Sequence, residues 1–183
     1  LIAIMLIALW QQHFPPEPTF TEEDVSPDSQ VGKVFIVTDA NQGIGLELVK
    51  MLYPTGATIY VAGRARERVE QASHVGTNCV APLLFTQDLL PQLQEAAKTA
   101  QSGSVRTIWT GSLMIESHSP PGGMQYEFLE KGKTTSSNRD YAMSKVGNWY
   151  LAVEAAERWE KYGIFSVVQN PGKLRTNIYS KTT

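Results

Sequence analysis

The sequence predicts an α/β fold of a single domain, a doubly wound parallel sheet with helices on both faces. Three observations predict it. Short β-branched runs alternate with helix-like segments, a glycine-bearing turn joins the first run to the first helix, and polar residues suited to chemistry sit where later strands end. KVFIVT (33–38) has the length and composition of a buried strand. Ile44, Leu48, Met51 and Leu52 then recur at i, i+4, i+7 and i+8, one face of a helix. Gly56 stands where that helix should stop, and TIYVAG (58–63) reads as the second strand. A helical stretch follows over 83–100, then the strand VRTIWTGS (105–112), then a loop rich in Ser, Pro and Gly. A long helix is expected over 141–162, with Val146, Trp149, Tyr150 and Val153 on one side. FSVVQNPG (165–172) closes the series as a strand entering a loop. Ahead of these elements, 14–32 is rich in Pro, acidic and small residues and reads as a surface-lying leader. The organisation expected is a leader over 1–32 and one domain over 33–183.

With 183 residues, 42% of them apolar, the chain is long enough to bury a core. A net charge of −2 and an isoelectric point near 5.9 leave no electrostatic footprint for nucleic acid. Cys79 is the only cysteine, so no intramolecular disulfide forms, which suits a reducing, cytoplasmic setting. His13, His74 and His118 lie far apart without cysteine company, and no metal site is expected. Leu1 to Trp10 are almost purely apolar. That run is shorter than the roughly 20 residues of a spanning helix and has no basic flank. It reads either as the remnant of a membrane anchor or signal, giving membrane association, or as an extension ahead of a start at Met5.

Immediately after the first strand, TDANQGIG (38–45) opens the first helix. In such a strand–turn–helix, glycines let the backbone approach a pyrophosphate, and the helix N-terminus offers free N–H groups and partial positive charge. Two glycines alone also fit an ordinary strand-to-helix turn. The order of strand, turn, helix and second strand favours a dinucleotide held by Thr38, Gly43, Ile44 and Gly45.

YAMSK (141–145) places Tyr141 and Lys145 four apart, on one face of a helix. A free phenol, with a pKa of about 10, is a poor acid–base catalyst at neutral pH, and a nearby ammonium favours its ionised form. The pair gains weight from Ser112, at the end of a central strand where ligands bind in open α/β sheets, and from NPGKLRT (170–176) at the end of the next.

Taken together, TDANQGIG, Ser112, YAMSK, the Pro171–Gly172 loop running to Thr176, and Asn78 in GTNCVAPLLFTQ resemble the short-chain dehydrogenase/reductase family, motif by motif and in order. The text is most similar to fungal, retinol-dehydrogenase-like members, through FPPEPTFTEEDV before the first strand and SPPGG before the tyrosine. The resemblance implies a Rossmann-type fold and hydride transfer between a nicotinamide and a small alcohol or carbonyl substrate. It implies roles as well. Tyr141 exchanges the proton with the substrate oxygen, and Ser112 positions that oxygen. Lys145 tunes the phenol and binds the nicotinamide ribose. Asn78 helps hold a water that relays protons from Lys145, and Pro171, Gly172, Leu174 and Thr176 border the nicotinamide. A homo-oligomer through the Tyr141 helix goes with the family. Arg64, directly after the second strand, stands where an acidic residue would favour NAD; a guanidinium suits the 2′-phosphate of NADP. Set against this, Arg64, Arg66 and Arg68 also fit a solvated basic helix start. NADP is the expected cofactor, NAD the alternative.

Two departures from the pattern stand out. Asp39 occupies the place of the family's first glycine: it tolerates positive φ less well, and its carboxylate opposes the cofactor phosphates. Between the second strand and Asn78 the family carries two helices and two strands, roughly 50 residues or more by mean element length. Only Ala65 to Thr77 stand there. The sheet is therefore expected to be truncated, with order 2-1-5-6 in family terms and the first strand paired to the Ser112 strand. The alternative to a working oxidoreductase is an impaired or inactive remnant that at most associates with related subunits.

Overall fold

The structure is a computed structural model that describes residues 10–11, 14, 16–40, 43–62, 74–126 and 136–172. The chain divides into two compact units, Leu1–Glu70 with Lys173–Thr183, and Gln71–Gly172.

In the first unit, β1 (Val34–Thr38) runs through the glycine turn into α1 (Gly43–Leu52) and on to β2 (Thr58–Ala62). β1 and β2 pair in parallel, in register from Val34 with Thr58 to Thr38 with Ala62. A 3₁₀ turn, Tyr53–Thr55, ends α1, and Gly56 closes it in the left-handed conformation at φ 75°. The stop read at Gly56 is therefore where the helix stops, and the reason is steric. Part of the leader is tied down there: Gln30 N–H donates to the Thr55 carbonyl at 2.9 Å, and Thr55 is fully buried.

In the second unit, a five-residue π-helical turn, Gly76–Val80, leads into α2 (Ala81–Ala97). Pro82 brings no N–H for the carbonyl four residues back, that of Asn78, which favours the wider turn at this point. β3 (Arg106–Thr110), the short α3 (Met114–His118), α4 (Ser137–Trp159) and β4 (Phe165–Gln169) follow. β3 and β4 pair in parallel, Arg106 with Phe165 through Thr110 with Gln169. The long helix begins four residues earlier than the sequence pattern indicated, because Ser136 caps it by accepting the Arg139 N–H. Trp109, Ala152, Ala155, Trp159 and Ile164 form the core, with Leu90, Leu93 and Ala97 of α2 packed against them.

One expectation is corrected. Among the described residues the pairing is β1 with β2 in one unit and β3 with β4 in the other, so the order 2-1-5-6 is not seen. Val34, Ile36 and Tyr60 in one pair, and Ile108, Phe165 and Val167 in the other, are exposed. Parallel strands normally sit between two helical layers. On α4 the side bearing Trp149, Tyr150 and Val153 is likewise open, while Ala142, Lys145, Asn148, Ala152, Ala155 and Trp159 face inward.

Candidate active site

The glycine turn of the first unit has the backbone its sequence asks for. Asp39 donates its N–H to the Ala62 carbonyl at 2.7 Å, which extends the β1–β2 ladder by one residue. It then turns into positive φ, 55°, in the place of a glycine. Gly43 also has positive φ, 59°, with no atom within 4 Å of where a side chain would begin. Gly45 is needed for a different reason. A Cβ there would lie 2.7 Å from the Asp39 carbonyl oxygen, so only glycine lets α1 approach the turn so closely. Thr38 ends β1, and Ile44 lies half open on the first turn of α1. Gly63, Arg64, Leu174 and Thr176 lie outside the described residues.

The second unit gathers the other candidates around one turn of α4. From Ala142 to Asn148 every residue is buried, so this part of the helix is enclosed on all sides. Three contacts explain why. Against β3, the Lys145 ammonium donates to the Thr110 carbonyl at 3.1 Å, and the Asn148 amide donates to the same oxygen at 2.9 Å. Against the π-helical turn, Gly147 meets Cys79: a Cβ at 147 would lie 2.4 Å from the sulfur. On the remaining side the loop at Gly123 presses on Val146 and Tyr150, and the Tyr150 hydroxyl donates to the Gly122 carbonyl at 2.9 Å.

Within that enclosure the Lys145 Nζ sits 5.5 Å from the centre of the Tyr141 ring. The His74 ring meets the same tyrosine edge-on at 6.0 Å. Ser112 stands two residues beyond Thr110, so the strand end that anchors Lys145 also carries the serine. Its hydroxyl accepts the Met114 N–H at 3.2 Å, which leaves its own proton to donate. The Asn78 amide donates to the Ser144 hydroxyl at 2.9 Å. Cys79 is a buried thiol donating to the Ser144 carbonyl at 3.0 Å, as a structural cysteine should be. Burial pushes its pKa up from 9.0 to about 11, against an opposing pull from the Lys145 ammonium. It is no nucleophile. Pro171 and Gly172 end the unit, Gly172 at φ 72° with its N–H donated to the Asn170 side chain at 3.1 Å.

Sequence reasoning placed Asn78, Ser112, Tyr141 and Lys145 in one site; in the structure Asn78 reaches the Tyr141 backbone through Ser144, Lys145 stands over the Tyr141 ring, and Ser112 lies two residues beyond the Thr110 carbonyl that holds Lys145. It missed Ser144, Gly147, Asn148 and the Thr110 carbonyl. Gly147 had a signal, since a glycine inside a helix is costly unless something must come close. The Thr110 carbonyl had none, because every residue has one.

No family model matches the chain. The short-chain dehydrogenase/reductase iacJ of Pestalotiopsis fici is 43% identical to it over 240 aligned positions, which take in 95% of this chain and 74% of the relative. That alignment is longer than the 183 residues present here, so dozens of positions of the relative lie opposite no residue of this chain. Among solved structures, the RhlG/NADP active-site complex of Pseudomonas aeruginosa matches with a TM-score of 0.58 at 18% identity, over 84% of this chain and 77% of that one. The 3-alpha-hydroxysteroid dehydrogenase of Pseudomonas sp. B-0831, complexed with NADH, matches with a TM-score of 0.56 at 18% identity, over 81% and 75%. These likenesses identify the fold as a Rossmann-type α/β fold, in shortened form.

Proposed function

The chain belongs to the short-chain dehydrogenase/reductase family, and on that footing we propose that it is an NADP-dependent oxidoreductase interconverting a small alcohol and its carbonyl compound. The observation that carries the reading is the enclosed turn of α4. A buried lysine, anchored on a backbone carbonyl, holds its charge 5.5 Å from the centre of a tyrosine ring, beside a strand end that bears a serine.

The glycine turn fits a dinucleotide in its backbone. The open side of Gly43 and the close approach at Gly45 leave the first N–H groups of α1 to phosphates, with Thr38 and Ile44 beside them. Asp39 alone runs against the fit. NADP(H), when bound, supplies or accepts the hydride. The chain's own residues handle the proton. Tyr141 gives its phenolic proton to the carbonyl oxygen during reduction and takes it back during oxidation. Lys145 steadies the negative charge left on the phenol and meets the nicotinamide ribose. Ser112 donates its free proton to the substrate oxygen and fixes its place. Asn78 supports the water through which Lys145 is resupplied, and Pro171, Gly172, Leu174 and Thr176 border the nicotinamide. Arg64 favours NADP over NAD through the 2′-phosphate. The solved P. aeruginosa complex holds NADP and the hydroxysteroid dehydrogenase NADH, so both cofactors occur on this fold.

Residues 33–183 make up the working domain in this reading and 1–32 its leader, in a cytoplasmic setting. Among the described residues no helix is long and apolar enough to cross a membrane. The open side of α4 at Trp149, Tyr150 and Val153 is where a second subunit would pack.

The test is NADPH consumption by the purified chain with a panel of aldehydes and ketones. Tyr141→Phe should lower turnover by about 10²–10⁴-fold with little change in NADPH affinity. A Tyr141→Phe protein that turns over like its parent would sink the reading. A second reading, an impaired remnant, is favoured by Asp39 and by the exposed apolar strand residues Val34, Ile36, Ile108 and Val167. It predicts a parent rate below the ordinary range of about 1–10³ s⁻¹.

A further inference from the structure

We infer that Ser144 is a positioning residue for the proton-transfer pair: its buried hydroxyl couples Asn78 to the backbone of Tyr141 and so holds the reactive turn of α4 in place. The inference rests on the reading of Tyr141 and Lys145 as the reacting pair.

Ser144 is fully buried. Its Oγ lies 2.9 Å from Asn78 Nδ2 and 2.7 Å from the Tyr141 carbonyl oxygen. An amide nitrogen can only donate and a carbonyl can only accept, so the direction of both bonds is settled. The single hydroxyl proton goes to Tyr141, and a lone pair takes the proton of Asn78. On an exposed helix, a serine bonding back to a carbonyl in the preceding turn weakens and bends the helix slightly. Here the same back-bond is locked by an amide 66 residues away in sequence, on the π-helical turn. The next residue of that turn adds a second tie to the same position, from the Cys79 thiol to the Ser144 carbonyl. Ser144 is thus gripped through its side chain and its backbone by two adjacent residues.

The consequence follows from the spacing. Tyr141 is three residues before Ser144 and Lys145 one after, so movement of this turn carries the phenol and the ammonium together. Thr110 and Ser112 belong to β3 and its end, not to the turn. A shift of about 1 Å between such groups costs on the order of 10²-fold in rate. Alanine at 144 leaves the Asn78 amide without its acceptor and the turn without its lateral tie.

The experiment is a double-mutant cycle on the full chain. Ser144→Ala should lower kcat about tenfold while NADPH affinity, read by fluorescence, stays within about twofold. Asn78→Ala, which loses its support of the relay water as well, should be at least as slow, and the double variant should be no slower than Asn78→Ala alone. Effects that multiply, or a kcat for Ser144→Ala within about twofold of the parent, would overturn the inference. Amide hydrogen exchange gives a readout that needs no turnover. Ser144→Ala should speed exchange over 141–145 and spare 152–159; unchanged exchange over 141–145 would also overturn it. Turnover that survives Tyr141→Phe removes the underlying reading and this inference with it. A Ser144→Ala without effect, in a protein that does depend on Tyr141, removes the inference alone.

Discussion

The glycine turn stands in the first unit and the Tyr141–Lys145 pair in the second, and the two units are built to different standards. The second encloses its reactive turn, with seven consecutive residues of α4 buried and two tryptophans in the core beneath. The first holds the glycine turn on a two-stranded pair whose buried side chains are Val37, Ala40, Leu52 and Thr55. Both leave strand residues exposed, but the long-range ties differ in kind among the described residues: backbone bonds such as Gln30 to Thr55 and Asp39 to Ala62 in the first unit, and side-chain ties in the second, Lys145 and Asn148 to Thr110, Asn78 and Cys79 to Ser144, Trp109 to Ser166. The difference teaches where a shortened chain of this fold is strong. Helix α4 packs across β3, β4 and the π-helical turn, so its groups stay placed when neighbouring elements are missing. The glycine turn is held by the β1–β2 ladder, which Asp39 extends by one bond to Ala62, and by the close approach of Gly45.

If packing governs the contrast, truncation in the two cores should differ. Trp159→Ala is expected to cost about 3–5 kcal/mol, and Leu52→Ala, whose surroundings collapse more easily, about 2–3 kcal/mol. Equal losses in urea titrations of the two variants would break the comparison.

The burial of Cys79 sharpens it further. Its folded pKa is raised, so the neutral thiol belongs to the folded state. The stability this contributes is fully present below pH 9.0 and is lost as pH rises through about 11. Melts between these limits should show a decline of about 2 kcal/mol beyond that of Cys79→Ala. Identical pH slopes for parent and variant would show that the enclosure around Ser144 and Gly147 is looser than drawn.

The smallest expected effect lies in the first unit. Asp39→Gly removes a side chain from positive φ and a carboxylate from the phosphate-facing turn, and should tighten NADPH by roughly tenfold, about 1.4 kcal/mol. Titration by NADPH fluorescence decides it. Unchanged affinity would mean that the thin packing of this unit, and not Asp39, limits binding.

What the sequence determined by itself was local. The order of strands and helices, the stop at Gly56, the positive φ at Asp39, and the pairing of Tyr141 with Lys145 across one helical turn all follow from backbone sterics and helical spacing within a few residues. Element ends were less legible: α4 begins at Ser137 because Ser136 caps it, a signal weaker in text than the tyrosine after it. Tertiary structure alone decided the rest. Which strands pair was one such matter: among the described residues β1 joins β2 and β3 joins β4, each with its crossover partner. Ser144, one unremarked letter in YAMSK, acquired its importance from an amide far along the chain. The Thr110 carbonyl acquired its own from a lysine 35 residues on. A hydrogen bond between distant residues leaves no period or motif behind, because any residue of the right polarity brought to that point would make it. Geometry, which only the folded chain possesses, chooses among them.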